Sequence, residues 1–215
     1  MDWRHNVARL IVAQPINRRH RWSTSLTSQR RLLLIKHSLP APIRGIDAHQ
    51  WSLSDEGRRR CELLAERIRP YTPTAIFTSQ EPKAQETAEI VGRVLSVSVE
   101  PFAGLHEHDR TGVPWLGQDQ FDAAIRSLFD HAEELVFGRE TAEQARARFS
   151  DAIDSILDGH PTGNIAIVAH GTVISLYLAA KTGIDPFPMW QRLGLPAFVV
   201  LAFPVYQRIE VVESI

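Results

Sequence analysis

"NIAIVAHGTVISLYLAAKTG", residues 164–183, decides the fold class. Its first seven residues form a short apolar run, the length of a strand buried on both faces. The following residues read as a helix over 172–183, with Thr172 at its start and Gly183 at its end. Little more than His170 and Gly171 separates them. A buried strand feeding directly into a helix is half of a βαβ unit, and such units build sheets covered on both faces.

The same pairing recurs along the chain. "RLLLIK" (31–36) is a buried strand ending at Lys36, His37 and Ser38. The amphipathic segment 54–70 follows, with Cys61, Leu64, Ala65 and Ile68 on one face, Ser54 as N-cap and Pro70 as its stop. "TAIFTS" (74–79) is a second strand, and "EPKAQETAEIVGRVL" (81–95) is a helix with Pro82 in its first turn, where the missing N–H is harmless. "VSVEPFAGLHE" is a short irregular strand, residues 118–137 are moderately helical, and 141–160 is a strong amphipathic helix carrying Phe149, Ile153 and Leu157. "AFVVLAFP" and "YQRIEVVE" close the chain as a hairpin. The expected fold is α/β: a three-layer sandwich with a mostly parallel central sheet, an antiparallel edge and helices on both faces. Strand order is not legible at this level.

Composition narrows the function classes. A chain of 215 residues suits one domain that buries roughly 70% of its unfolded surface without metal or disulfide support. A formal net charge of -1, with 44% apolar and 23% charged residues, gives no reason to expect a nucleic-acid or membrane partner. No apolar run approaches the roughly 20 residues of a membrane helix. Cys61 is the single cysteine, which excludes an intramolecular disulfide and suits the reducing cytoplasm. Residues 1–30 stand apart: Arg4, Arg9, Arg18, Arg19, Arg21 and Arg30 face one acid, Asp2, and "STSLTSQ" is polar and of low complexity. This basic leader reads as a transit peptide, a floppy tail or an over-long start, outside a folded domain spanning 31–215.

In open α/β sheets, ligands bind beyond the carboxyl ends of strands, where loops and helix N-termini converge. Three polar groups occupy such junctions: Lys36-His37-Ser38, Ser79 to Lys83, and His170-Gly171-Thr172. One surfaced histidine is ordinarily structural. Two at separate strand ends, with a lysine at a third junction, point to a site.

These junctions resemble the histidine phosphatase superfamily, whose members include phosphoglycerate mutases and many small phosphatases. The family's Arg-His-Gly strand end corresponds to Lys36-His37-Ser38, its Leu-Ser/Thr-x-x-Gly block to "WSLSDEG" (51–57), and its Ser-x-x-x-Arg-Ala-x-x-Thr-Ala block to "SQEPKAQETA" (79–88). Its Leu-x-Glu is "LHE" (105–107), and its final His-Gly is "IVAHG" (167–171). Five blocks stand in order over residues 31–205. The resemblance implies a cofactor-independent phosphomonoesterase with no metal: His37 as nucleophile, His170 as a donor or imidazolium to the transferring phosphate, Glu107 as the acid for the leaving group, and Lys36, Lys83 and Ser38 around the phosphate. Aligned N–H groups of the helices after Ser79 and Gly171 are expected to help hold the anion. The implied substrate is a small phosphomonoester or a phosphoprotein.

The departures are specific. Both family arginines are lysines here, Lys36 and Lys83, and the glycine is Ser38. Arginine grips phosphate bidentately and keeps its charge, whereas lysine is a point charge with movable donors. Arg44 and Arg110 on neighbouring loops are candidates to supply the missing fork. The acid also has rivals, since His106, His108 and Asp109 flank Glu107. Trp115 is either a packing residue or a wall for an organic leaving group. Two alternatives accompany the phosphatase reading: a catalytically weakened phospho-ligand binder of the same fold, and a mutase, which the short segment after Glu107 disfavours.

Overall fold

The computed structural model describes residues 29–215. The basic leader therefore lies, but for Gln29 and Arg30, outside the described residues, and Arg30 already belongs to the first strand. β1 (Arg30–Lys36), β2 (Pro73–Thr78), β3 (Val99–Pro101), β4 (Asn164–Ala169), β5 (Ala197–Phe203) and β6 (Gln207–Val212) form one sheet in the order β3-β2-β4-β1-β5-β6. The first four in space run parallel, and β5 and β6 make the antiparallel edge. Among the described residues, six α-helices cover the sheet: α1 (Asp55–Ile68), α2 (Pro82–Leu95), α3 (Gln118–Asp130), α4 (Ala142–Gly159), α5 (Gly171–Thr182) and α6 (Pro186–Arg192).

The alternation of side chains in β1 splits the core into two layers. Leu33 and Ile35 pack toward α1 and α2, with Leu64, Ile68, Ala88 and Val91. Leu32 and Leu34 pack toward α4 and α5, with Phe149, Ile153, Val173 and Tyr177. All four β1 residues are fully buried, each contributing roughly 1.5–3 kcal/mol of apolar burial. The three-layer expectation is therefore met, and the C-terminal hairpin forms as the β5–β6 pair. Exposed β6 presents Gln207, Arg208 and Glu210, polar side chains that discourage pairing with another strand.

Local differences have local causes. Thr172 lies inside α5, whose N-cap position is His170. "VSVEPFAGLHE" yields only three strand residues before turning into loop. The segment after Gly183 holds α6, missed by periodicity because it is only seven residues long; Asp185 caps it by accepting from Phe187 N. At the front of α1, Ser54 accepts from Gly57 N at 3.0 Å, and Gly57 is required by packing: a Cβ there would meet Leu39 O at 2.1 Å.

Candidate active site

The site follows from strand register. β1 and β4 are parallel neighbours with Lys36 opposite Ala169, so the next residues, His37 and His170, emerge side by side. His37 N donates to Ala169 O at 3.0 Å, which locks that register at the sheet's edge. The two rings meet edge to face, centroids 5.1 Å apart and planes at 61°. Nδ1 of His37 is 2.8 Å from Ser38 O. A carbonyl only accepts, so Nδ1 carries the proton and the neutral ring keeps its lone pair on Nε2. Burial, then the His170 ring and the Lys83 ammonium, hold the His37 pKa well below 6.5. His37 is thus a neutral imidazole with its tautomer set.

His170 is fully buried at the start of α5. Its Nε2 lies 2.8 Å from Ser79 Oγ and 3.3 Å from Glu81 Oε1. Burial and then Lys83 keep it neutral too, with its pKa well below 6.5. Lys83, in the first turn of α2, is buried; its Nζ donates to Ala48 O at 2.7 Å and pairs closely with Glu81 Oε2. Lys36 extends from β1 past Gly171 and donates to Leu193 O at 2.6 Å. A Cβ on Gly171 would sit 3.2 Å from Lys36 Cε and 3.3 Å from Trp190 Cδ1, so a side chain after His170 would make both give by a few tenths of an ångström. Burial lowers the Lys36 pKa to about 8, against the opposing attraction of Glu107.

Glu107 reaches the same place from the loop after β3. Its oxygens accept from His108 N (2.9 Å), Thr172 N (3.1 Å) and Val173 N (3.3 Å), and Arg110 Nη2 lies 3.2 Å away. Burial alone raises a carboxyl pKa, but Arg110, His170 and these N–H donors outweigh it and bring Glu107 down to about 2. Its three neighbours do other work. His108 bonds Glu140 O through Nε2 (2.7 Å), Asp109 accepts from Thr111 N (2.9 Å), and His106 is only half-buried. Of the four rivals for the acid, only Glu107 bonds α5 beside His170.

Three sequence expectations change in detail. Ser38 donates its hydroxyl to Gly57 O at 2.8 Å and its N–H to Thr87 Oγ1 at 3.0 Å, so it ties β1 to α1 and α2 and does not present its hydroxyl to the site. The α5 N–H groups expected to face an anion are taken by Glu107. Arg44 lies exposed, while Arg110 joins the site, its guanidinium 5.1 Å over the Phe121 ring. The residue that sequence reasoning passed over is Glu81. It sits inside the quoted "SQEPKAQETA" block, two positions before Lys83, and an acid there among phosphate-binding positions was the available signal. At the rim, Trp51 and Trp115 pair with centroids 5.9 Å apart, and Trp51 O accepts from Lys83 N at 3.1 Å. Trp115 remains 62% exposed.

Residues 44–205 match the model of the histidine phosphatase superfamily (branch 1). The chain belongs to that superfamily. The match begins just after the Lys36-His37-Ser38 block, where the chain departs from the family pattern. An uncharacterized phosphatase of Bacillus subtilis, PhoE, is 23% identical over 134 residues, 62% of this chain and 66%, just under two thirds, of that protein's length. Among solved structures, a mycobacterial glucosyl-3-phosphoglycerate phosphatase bound to inorganic phosphate superposes with a TM-score of 0.68 at 21% identity, covering 85% of this chain and 95% of that one. Bacillus stearothermophilus YhfR gives 0.67 at 22% identity, covering 86% and 98%. Phosphoserine phosphatase of Entamoeba histolytica with 3-phosphoglyceric acid gives 0.68 at 14% identity, covering 85% and 96%. These likenesses establish the fold.

Proposed function

We propose that this protein is a phosphomonoesterase that works through a phosphohistidine on His37, needing no cofactor or metal. The observation that carries this reading is the His37 ring: neutral, held by Ser38 O through Nδ1, with Nε2 left as the nucleophile beside His170. Nε2 attacks phosphorus, the P–O bond to the leaving group breaks, and water later cleaves the N–P bond to release inorganic phosphate. Lys36, Lys83, Arg110 and His170 surround the position where equatorial oxygen charge develops. Glu107 is the proposed acid. Before substrate binds it is a carboxylate, and the arriving phosphate, a like charge, raises its pKa toward protonation.

The superfamily relatives named as acting on glucosyl-3-phosphoglycerate and phosphoserine make a small phosphorylated metabolite the first substrate class to test. A phosphoprotein remains the alternative. The deciding experiment is turnover of a generic aryl phosphate, with acid-labile, base-stable phosphate trapped on His37. Activity that survives His37→Ala overturns the mechanism. A second reading, a phospho-ligand binder with little turnover, has one specific observation behind it: Glu81 already neutralises Lys83. Phosphate binding without turnover by the wild type would favour it. Turnover that depends on a bisphosphate primer would instead indicate a mutase.

A further inference from the structure

Glu81 is the feature of the site that the phosphatase reading leaves unused. Its side chain is only 10% exposed and makes three contacts. Oε2 pairs with Lys83 Nζ, while Oε1 accepts from Glu107 N at 2.8 Å and lies 3.3 Å from His170 Nε2. A cation, an imidazole nitrogen and a backbone N–H converging on two oxygens are the surroundings a phosphate needs. The carboxylate therefore stands where part of the ligand would bind.

We infer that Glu81 makes phosphate binding proton-coupled, so that the site accepts a singly charged, protonated phosphoryl group in preference to the dianion. This deepens the proposed function and rests on that reading of the pocket. Two negative oxygens, one from Glu81 and one from a phosphate dianion, cannot share Lys83 and His170 without repulsion. A single proton between them removes the conflict and leaves a hydrogen bond, as when two carboxylates share one site.

The groups facing Glu81 support this assignment. Lys83 from α2, Glu107 and His106 from the loop after β3 and His170 from the β4–α5 junction face Glu81 itself, and Lys36 at the end of β1, His37 just after it and Arg110 surround the two rings beside it. Lys36, Lys83 and Arg110 supply the positive charge, and Glu81 and Glu107 the negative. With the three imidazoles neutral and Lys36 charged, as it is below about pH 8, these sum to one net positive charge, which matches a phosphate monoanion. Glu107 is anchored by three backbone N–H donors that a phosphate need not take over, so it can share Arg110 with the ligand and stay in place. Glu81 holds two of the side chains that the phosphate needs, Lys83 and His170. It is the carboxylate that must yield.

The test is calorimetric titration of the full-length protein with inorganic phosphate at about pH 8, where the dianion predominates, in two buffers of different ionisation enthalpy. The wild type is expected to take up about one proton per phosphate bound, and to bind progressively more weakly as pH rises. Glu81→Gln should take up about one proton fewer than the wild type, leaving only what Lys36, half-charged near pH 8, and Glu107 contribute, and bind the dianion on the order of tenfold more tightly. Glu81→Asp should keep the uptake. Absence of proton uptake by the wild type overturns the inference without any variant. So does uptake undiminished in Glu81→Gln, which would assign the proton to Lys36, an imidazole or Glu107. In both cases phosphate still binds and the phosphatase reading stands. If phosphate binds neither protein at any pH, the pocket assignment falls and takes the inference with it.

Discussion

His37 and His170 meet edge to face, centroids 5.1 Å apart, although 132 other residues separate them along the chain. Only the parallel pairing of β1 and β4 brings them together. Replacing either ring by alanine leaves the apolar strands that hold the register untouched. His37→Ala is expected to keep the fold and lose at least roughly a thousandfold in kcat, as nucleophile deletions do. His170→Ala should also lose rate but still accept phosphate on His37. Aryl phosphate turnover beside a thermal melt checks both.

Lys36 supplies a pH limb. Its pKa is lowered from 10.5 to about 8, so the ammonium is present below about pH 8 and is lost as pH rises through that value. KM for a phosphomonoester should climb above about pH 8 while the folded state persists. Lys36→Arg, whose charge does not titrate in this range, is expected to shift that limb upward. The pH dependence of kcat/KM for the two proteins gives the answer; coincident profiles would remove Lys36 from phosphate binding.

Glu107 links the site to stability. Its pKa falls from 4.5 in the unfolded chain to about 2, a difference equivalent to about 3 kcal/mol. With the folded value depressed, the stabilisation is fully present above about pH 4.5 and disappears as pH falls toward 2. Glu107→Gln should lower the stability by about 1–3 kcal/mol near neutrality, since Arg110 loses its counter-charge. It should also flatten the stability profile between pH 4.5 and 2. Denaturant melts across that range measure both effects.

Gly57 governs the approach of α1 to the loop after His37. A Cβ would meet the carbonyl oxygen of Leu39 at 2.1 Å, a backbone atom that cannot swing away. Gly57→Ala is expected to destabilise by about 1–3 kcal/mol and to displace Ser38, whose hydroxyl bonds Gly57 O. Because Ser38 O orients the His37 ring, kcat should fall even at temperatures where the variant remains folded.

Trp115 tests the leaving-group side. It is exposed and paired with Trp51, whose carbonyl bonds the Lys83 backbone. Trp115→Ala should raise KM for a bulky aromatic phosphate severalfold and leave kcat for a small ester unchanged. Equal effects on both esters would make it a packing residue.

The elements and the strand-end chemistry were legible because both are local. Apolar runs of strand length, helical spacing of Cys61, Leu64 and Ile68, and the histidines following β1 and β4 depend on neighbours in the chain. The seven-residue α6 escaped because so short a segment carries little periodicity, although Asp185-Pro186 marked its start. Trp190 on that helix, packed near Gly171, escaped with it.

By itself, then, the sequence determined the α/β class, the residues delivered to the strand ends and the family resemblance, since these are set by periodicity and residue order. Tertiary structure decided strand order, and with it which ends adjoin. It also decided how charge is distributed: Glu81 onto Lys83 and His170, Glu107 onto α5 and Arg110, and Ser38 away from the site toward Gly57. The reason is physical. Buried charges settle on whichever partners the packed chain brings within a few ångströms, and a linear pattern does not carry those distances.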